Sequence, residues 1–171
     1  MPSKVYVTNQ QKRVAVDSGQ VRRAAQKILA LLGYDGYELS IVITDDHEIT
    51  RLNRQYFRRN RSTNVISFPM IADSLPPPPN RILGDVVISA ETARRQAGKA
   101  GGRAKEEVFF LLIHGILHLT GYDHEGAKEE REKMEEKEKE IFLRIIQPQR
   151  TQRGRAATKK FKIATNPIRQ G

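Results

Sequence analysis

The chain has four histidines, and three of them fall within eleven residues: His114, His118 and His124. His114 and His118 are four apart, so on a helix they project from one face, one turn above the other. Val108 to Ile113, Ile116, Leu117 and Leu119 around them are apolar, which predicts a centrally buried helix. Two imidazoles buried there cost free energy unless each ring finds a partner. A single metal ion gives both rings the same one. Gly121 suits the left-handed conformation that ends a helix, after which the chain can turn back and present His124. Three neutral imidazoles with one coordination position left open make a catalytic rather than a structural zinc site. The bland alternative is a pair of satisfied core histidines plus a surface one. The H-x3-H-x5-H spacing with its glycine favours the metal, and imidazoles would equally suit nickel, copper or iron. His47 stands at the acidic start of another predicted helix and reads as a solvated residue rather than a ligand.

The same ligand spacing is found in metzincin zinc peptidases, which carry a general-base Glu directly after the first His. Here that position is Gly115. Zinc still lowers the pKa of bound water to about 7, but the carboxylate that shuttles a proton to a leaving amine is missing. A phosphodiester has a better leaving group and suits a metal assisted by arginine. Phosphoester cleavage is therefore expected over peptide cleavage.

Arginine is plentiful where it would be needed. Arg51, Arg54, Arg58, Arg59 and Arg61 lie within eleven residues, with Tyr56 and Phe57 between them and no acid. A guanidinium forks two donors onto a phosphate, and an aromatic ring stacks on a base. Arg54, Arg58, Arg59 and Arg61 are the candidate RNA-binding residues; the competing reading is a solvated helix face followed by a charged loop. A second excess sits at the end of the chain. Residues 150–171 hold seven Lys or Arg and no acid, which is most of the formal charge of +10. Residues 149–171 read as a basic, disordered tail suited to loose, salt-sensitive contact with nucleic acid, following a single domain over 1–148.

Other classes are excluded by composition. With no Cys there are no disulfides, thiolate metal sites or cysteine nucleophile, which fits a reducing cytoplasm. The longest apolar run, Val108 to Ile113, falls far short of the ~20 residues that span a bilayer, and residues 1–15 lack the apolar core of a signal peptide. The expected location is cytoplasmic, with no membrane partner and no dinucleotide cofactor.

The elements that must position these residues follow from periodicity. Strands are expected over Lys4–Thr8, Leu39–Ile43, Val65–Phe68 and Val86–Ser89. Val21, Ala24, Ala25, Ile28, Leu29 and Leu32 recur at helical spacing and stop at Gly33. Asp45 with Glu48 resembles a capping box for a short helix carrying Ile49 and Leu52. Pro76–Pro79 predicts a stiff exposed loop. A helix opens at Ser89 or Ala90 and ends near Gly98, the histidine helix covers Glu106–Leu119, and a charged helix covers Ala127–Ile146. That last helix has a sparse apolar stripe of Ala127, Met134, Ile141 and Ile145, and Gln147 and Pro148 end it. The class is α+β or α/β with a small sheet.

Three segments together resemble one family. His114-Gly-Ile-Leu-His118-Leu-Thr-Gly-Tyr-Asp-His124 is similar to the signature of the bacterial YbeY family, rRNA maturation endoribonucleases. Leu52-Asn53-Arg-Gln-Tyr56, then Ser62-Thr63-Asn64-Val65-Ile66-Ser67-Phe68-Pro69, resembles its L-N-x-x-[YF]-R and P-T-[DN]-V-L-S-F-P block. Leu83-Gly84-Asp85-Val86-Val87-Ile88-Ser89 resembles its L-G-D strand. The likeness spans about residues 4–146.

It implies an α+β domain with a small, mostly parallel four-stranded sheet around a buried central helix, and one zinc ion held by His114, His118 and His124. It also implies single-strand-specific RNA cleavage in 3′-end maturation of small-subunit rRNA and in ribosome quality control, with the small ribosomal subunit as partner. Two positions depart from the family pattern. Phe57 stands where the family has an Arg that serves the active site, so Arg58 is the candidate to take that catalytic role. Ser62 stands in place of Pro. Asp85 and Asp123 are candidates to support a ligating imidazole from behind, Asp85 alternatively contacting the reacting water and being equally suited to capping the turn into its strand. Two rivals remain at this point. One is a zinc peptidase. The other is a non-catalytic rRNA-binding assembly factor with a structural zinc.

Overall fold

The computed structural model describes residues 1–70 and 81–150. The expected proline loop and residues 151–171 of the expected basic tail lie outside the described residues. The elements run β1 (Lys4–Asn9), α1 (Ser18–Leu31), β2 (Glu38–Thr44), α2 (Asp46–Phe57), β3 (Val65–Pro69), β4 (Ile82–Ser89), α3 (Ala90–Ala100), α4 (Ala104–Leu119) and α5 (Lys128–Arg150). The sheet order is β1-β2-β4-β3. β1, β2 and β4 are parallel, and β3 pairs antiparallel with β4 at the edge. The architecture is α+β with four mostly parallel strands, as the family resemblance implied.

Local chemistry sets the helix ends. The Asp45 side chain accepts from the Glu48 backbone at 2.8 Å, and that of Ser89 caps α3 by accepting from the Thr92 backbone at 3.2 Å, each satisfying a first-turn N–H that has no helical partner. The starts of α2 and α3 are tied together through Asp46, whose carboxylate accepts from Ser89 Oγ at 2.7 Å, Thr92 Oγ1 at 2.6 Å and Arg95 at 2.6 Å. Partial burial pushes the Asp46 carboxyl up, but the Arg95, Ser89 and Thr92 hydrogen bonds outweigh it and hold it below the ordinary carboxylate range.

The two faces of the sheet are covered unequally. Leu39, Ile41 and Ile43 of β2, Val86 and Ile88 of β4 and Val65 of β3 join the main core with α1, α3, α4 and α5. Ile66 and Val87 point the other way and pack with Ile49 of α2, because successive strand residues face opposite sides. α4 is the centre of the larger layer. Phe109, Leu111, Leu112, Ile113, Ile116 and Leu117 are at most 2% exposed, so the helix is enclosed on nearly every side. It meets the sheet at Gly115. A Cβ there would lie 2.7 Å from Val86 Cγ1 and 3.2 Å from Val65 Cγ2. Ser67 Oγ donates to the Gly115 carbonyl at 2.9 Å, fixing α4 against the edge strand.

Two expectations change at α5. The helix does not stop at Gln147–Pro148 but continues to Arg150. Pro148 has no N–H to donate to the Arg144 carbonyl four residues back. Lys27 Nζ on α1 donates to that carbonyl instead, at 2.8 Å. The apolar stripe is also fuller than expected. Ala127 is exposed, while Phe142 and Ile146 join Met134, Ile141 and Ile145 in the core.

The Gly115 contact yields a direct test. Gly115→Ala should lower stability by about 1–3 kcal/mol, the usual cost of forcing an extra methyl into a packed core, and denaturant midpoints will measure it. An unchanged or raised midpoint would mean that α4 does not rest on Val86.

Candidate metal centre

α4 presents His114 and His118 on one face, and the turn beyond it returns His124 to the same place. The helix ends at Leu119. Gly121 then takes φ 95°, a conformation open to glycine at little cost, and Tyr122 N donates to the Leu117 carbonyl at 3.1 Å. Nε2 of His118 lies 3.1 Å from Nε2 of His114 and 2.9 Å from Nδ1 of His124. One nitrogen from each ring lies within 4.8 Å of both others. A tetrahedral ion with bonds of about 2.0 Å would set its ligand atoms about 3.3 Å apart, so the three rings fit one ion. No fourth His, Asp or Glu joins the group among the described residues.

Two of the rings, His118 and His124, are in the protonation state that ligation needs. Burial, with the neighbouring His114 and His124, pushes the His118 pKa down to about 4. Burial and His114 also lower that of His124. Both are therefore neutral near pH 7, each with a lone pair free on one nitrogen.

His114 is oriented by a residue that the spacing of the histidines did not reveal. Its Nδ1 hydrogen-bonds Oε1 of Glu138 on α5. Both side chains are buried, at 5% and 9% exposed. A carboxylate there fixes the proton on Nδ1 and turns the Nε2 lone pair toward the other two rings. One signal was available: Glu138 falls four residues after Met134 and three before Ile141, on the apolar stripe of α5, where an acid needs a partner.

The other site candidates lie as follows. Asp85 alternates with Val86, so it belongs to the sheet face opposite α4 and stands across from Phe68 in the β3–β4 ladder. It does not reach the imidazoles from behind. The Asp123 carboxylate accepts from the Glu125 backbone at 2.8 Å, which shapes the turn carrying His124; its charge acts on His118 and His124 only through space. Arg58 caps α2 in the left-handed region, with φ 55° and ψ 31°. Arg54, Arg58, Arg59 and Arg61 are all exposed. Buried Asn53 pins their loop, its Nδ2 donating to the Arg61 carbonyl at 3.0 Å. Arg51 is committed elsewhere, with two bonds to Glu48 at 2.6 and 2.9 Å. An open cleft of about 490 Å³ lined by Asp46, His47, Thr50, Arg51, Arg54, Asn60 and Ser62 runs beside this arginine loop, and His47 is exposed on its wall.

The family profile described as Endoribonuclease YbeY matches residues 6–146. The chain belongs to the YbeY endoribonuclease family. Among its YbeY relatives, that of Geobacter metallireducens is 48% identical over 140 residues, covering 81% of this chain and 93% of the relative. That of Geobacter sulfurreducens is 49% identical over 140 residues with the same coverage. The solution structure of TM1509 from Thermotoga maritima has the same fold, with a TM-score of 0.62 at 21% identity over 91% of this chain and 99% of that one. In this chain the position corresponding to the peptidase Glu is Gly115, where even a Cβ would lie 2.7 Å from Val86 Cγ1. The zinc-peptidase alternative therefore has neither the family nor the residue it needs. No helix of the described residues is long and apolar enough to cross a membrane.

Glu138 can be tested without an activity assay. Glu138→Leu removes the acceptor and should weaken zinc binding about 10–100-fold, with Glu138→Gln, which keeps an acceptor oxygen, falling in between. Competition with a chromophoric chelator measures both. Equal affinity in all three proteins would reduce Glu138 to a packing residue.

Proposed function

We propose that the three-imidazole centre is the active site of a zinc-dependent endoribonuclease that cuts single-stranded RNA at the 3′ end of small-subunit rRNA, on the small ribosomal subunit in the cytoplasm. Endonucleolytic cleavage of RNA phosphodiester bonds is the activity of the family. The observation that carries the finer reading is the convergence of His114 Nε2, His118 Nε2 and His124 Nδ1 within 4.8 Å, without a fourth protein ligand among the described residues. That geometry favours a catalytic over a structural ion, and so speaks against a purely RNA-binding assembly factor.

His114, His118 and His124 would hold the ion, and Glu138 keeps the proton on His114 Nδ1. Bound zinc polarises a phosphate oxygen and makes water acidic enough to supply hydroxide near neutral pH. Arg58 is the guanidinium proposed to hold the phosphate as negative charge builds on its oxygens. Arg54, Arg59 and Arg61 position the RNA backbone without reading its sequence. The basic tail over 149–171 adds salt-sensitive affinity for rRNA.

Cleavage of a single-stranded oligoribonucleotide tests the core of this reading. Wild type should cut it, a chelator should abolish cutting, and added zinc should restore it. His124→Ala should be inactive with and without zinc; it is chosen because, unlike His114→Ala, it leaves no buried carboxylate unpaired. Equal cutting in all samples would point to a contaminating nuclease and remove the assignment.

Arg58 makes a separable prediction. A non-glycine residue in the left-handed region costs about 1–2 kcal/mol. Arg58→Gly should therefore raise stability by about 1 kcal/mol while lowering kcat/KM about ten-fold or more. If stability rises and cleavage is unchanged, Arg58 is a helix cap and nothing else.

A further inference from the structure

We propose that Tyr56 and Phe57, braced by Phe68, form a base-stacking subsite for the RNA substrate, across edge strand β3 from the histidines. This rests on the endoribonuclease reading and adds to it where the bases are gripped.

Tyr56 and Phe57 are 57% and 46% exposed at the C-terminal end of α2. Each is in ring contact with Phe68 of β3. Tyr56 meets it edge-on at 5.1 Å, and Phe57 lies at 29° to it with centroids 6.2 Å apart. The cluster is therefore held rigidly yet leaves aromatic surface open. Such a platform loses little conformational entropy when a base settles on it. Its surroundings select an anionic partner. Between Glu48 and Asp73 the sequence holds five arginines and no carboxylate, and Arg54, Arg58, Arg59 and Arg61 of that segment are exposed. Asp85, across from Phe68 in the strand ladder, is the carboxylate beside the cluster and is outnumbered by these four guanidinium groups. Aromatic faces within a run of exposed arginines are the combination that single-stranded nucleic acid requires.

The subsite connects to the metal centre through β3. Ser67 faces α4, donating to Gly115 next to His114, and the next residue, Phe68, faces α2. An RNA chain rounding the sheet edge can thus lie on the aromatic rings on one side and reach the histidines on the other. A duplex cannot do so with its bases, whose faces are already stacked on one another. The platform is thereby a source of preference for unpaired RNA.

The chain has no tryptophan, so a Phe57→Trp variant carries a single reporter. With EDTA present to keep the RNA intact, a single-stranded oligoribonucleotide should quench its emission, and a duplex of the same sequence at the same phosphate concentration should not. Phe57→Ala and Tyr56→Ala should each weaken the Kd for the single strand about five-fold or more, with less than about a two-fold change for the duplex. Unchanged thermal melting of the variants establishes that these exposed positions do not act through folding. Absence of quenching, or an equal loss of affinity for single strand and duplex, overturns the subsite. If wild type neither binds nor cuts the single strand, the endoribonuclease reading has failed and takes the subsite with it. If wild type cuts and the alanine variants bind as wild type does, the subsite alone falls.

Discussion

A helix enclosed on nearly every side can carry imidazoles only if every ring nitrogen has somewhere to place its proton or its lone pair. This requirement organises the molecule around α4. Glu138 accepts a hydrogen bond from His114 Nδ1, and one nitrogen of each of the three rings faces the other two within 4.8 Å. Burial then keeps His118 and His124 neutral. Low dielectric, which would make an unpaired ring costly, is what readies these rings for a cation.

The surrounding elements serve that arrangement. β4 and the antiparallel edge strand β3 give α4 an apolar floor, and Gly115 lets it settle close enough for Ser67 to bond its backbone. α5 crosses the other side and delivers Glu138. That helix needs its own anchoring, because Pro148 strips a hydrogen bond from its last turns and Lys27 supplies a substitute from α1. A side chain on α1 thus contributes to holding the helix whose carboxylate orients the first histidine.

How much of this was legible depended on whether the signal was local. The histidine spacing, the glycine turn before His124, the Asp45 and Ser89 caps and the four strands could all be read from nearby residues. Asp85 misled because β4 is apolar on both faces, and an unbroken run such as Val86-Val87-Ile88 does not say which side its neighbours face. Glu138 was hidden among many solvated glutamates and lysines on α5. Only its place on the stripe between Met134 and Ile141 marked it. The helix past Pro148 depends on a lysine 121 residues earlier in the chain, which no window around the proline contains. The arginines were visible as a cluster, but the left-handed backbone of Arg58 was not, since Arg has no preference for it.

The alternation of Ser67 and Phe68 along β3 has a further consequence for how such a sequence can change. One of these residues touches the helix of the histidines and its neighbour touches the aromatic pair. Moving the strand by a single position against β4 would exchange them, turning every side chain of β3 over. Insertions or deletions in the arginine loop must therefore be absorbed before Val65. Loop length can drift between relatives, while the spacing inside the strand is locked to both of its surfaces at once.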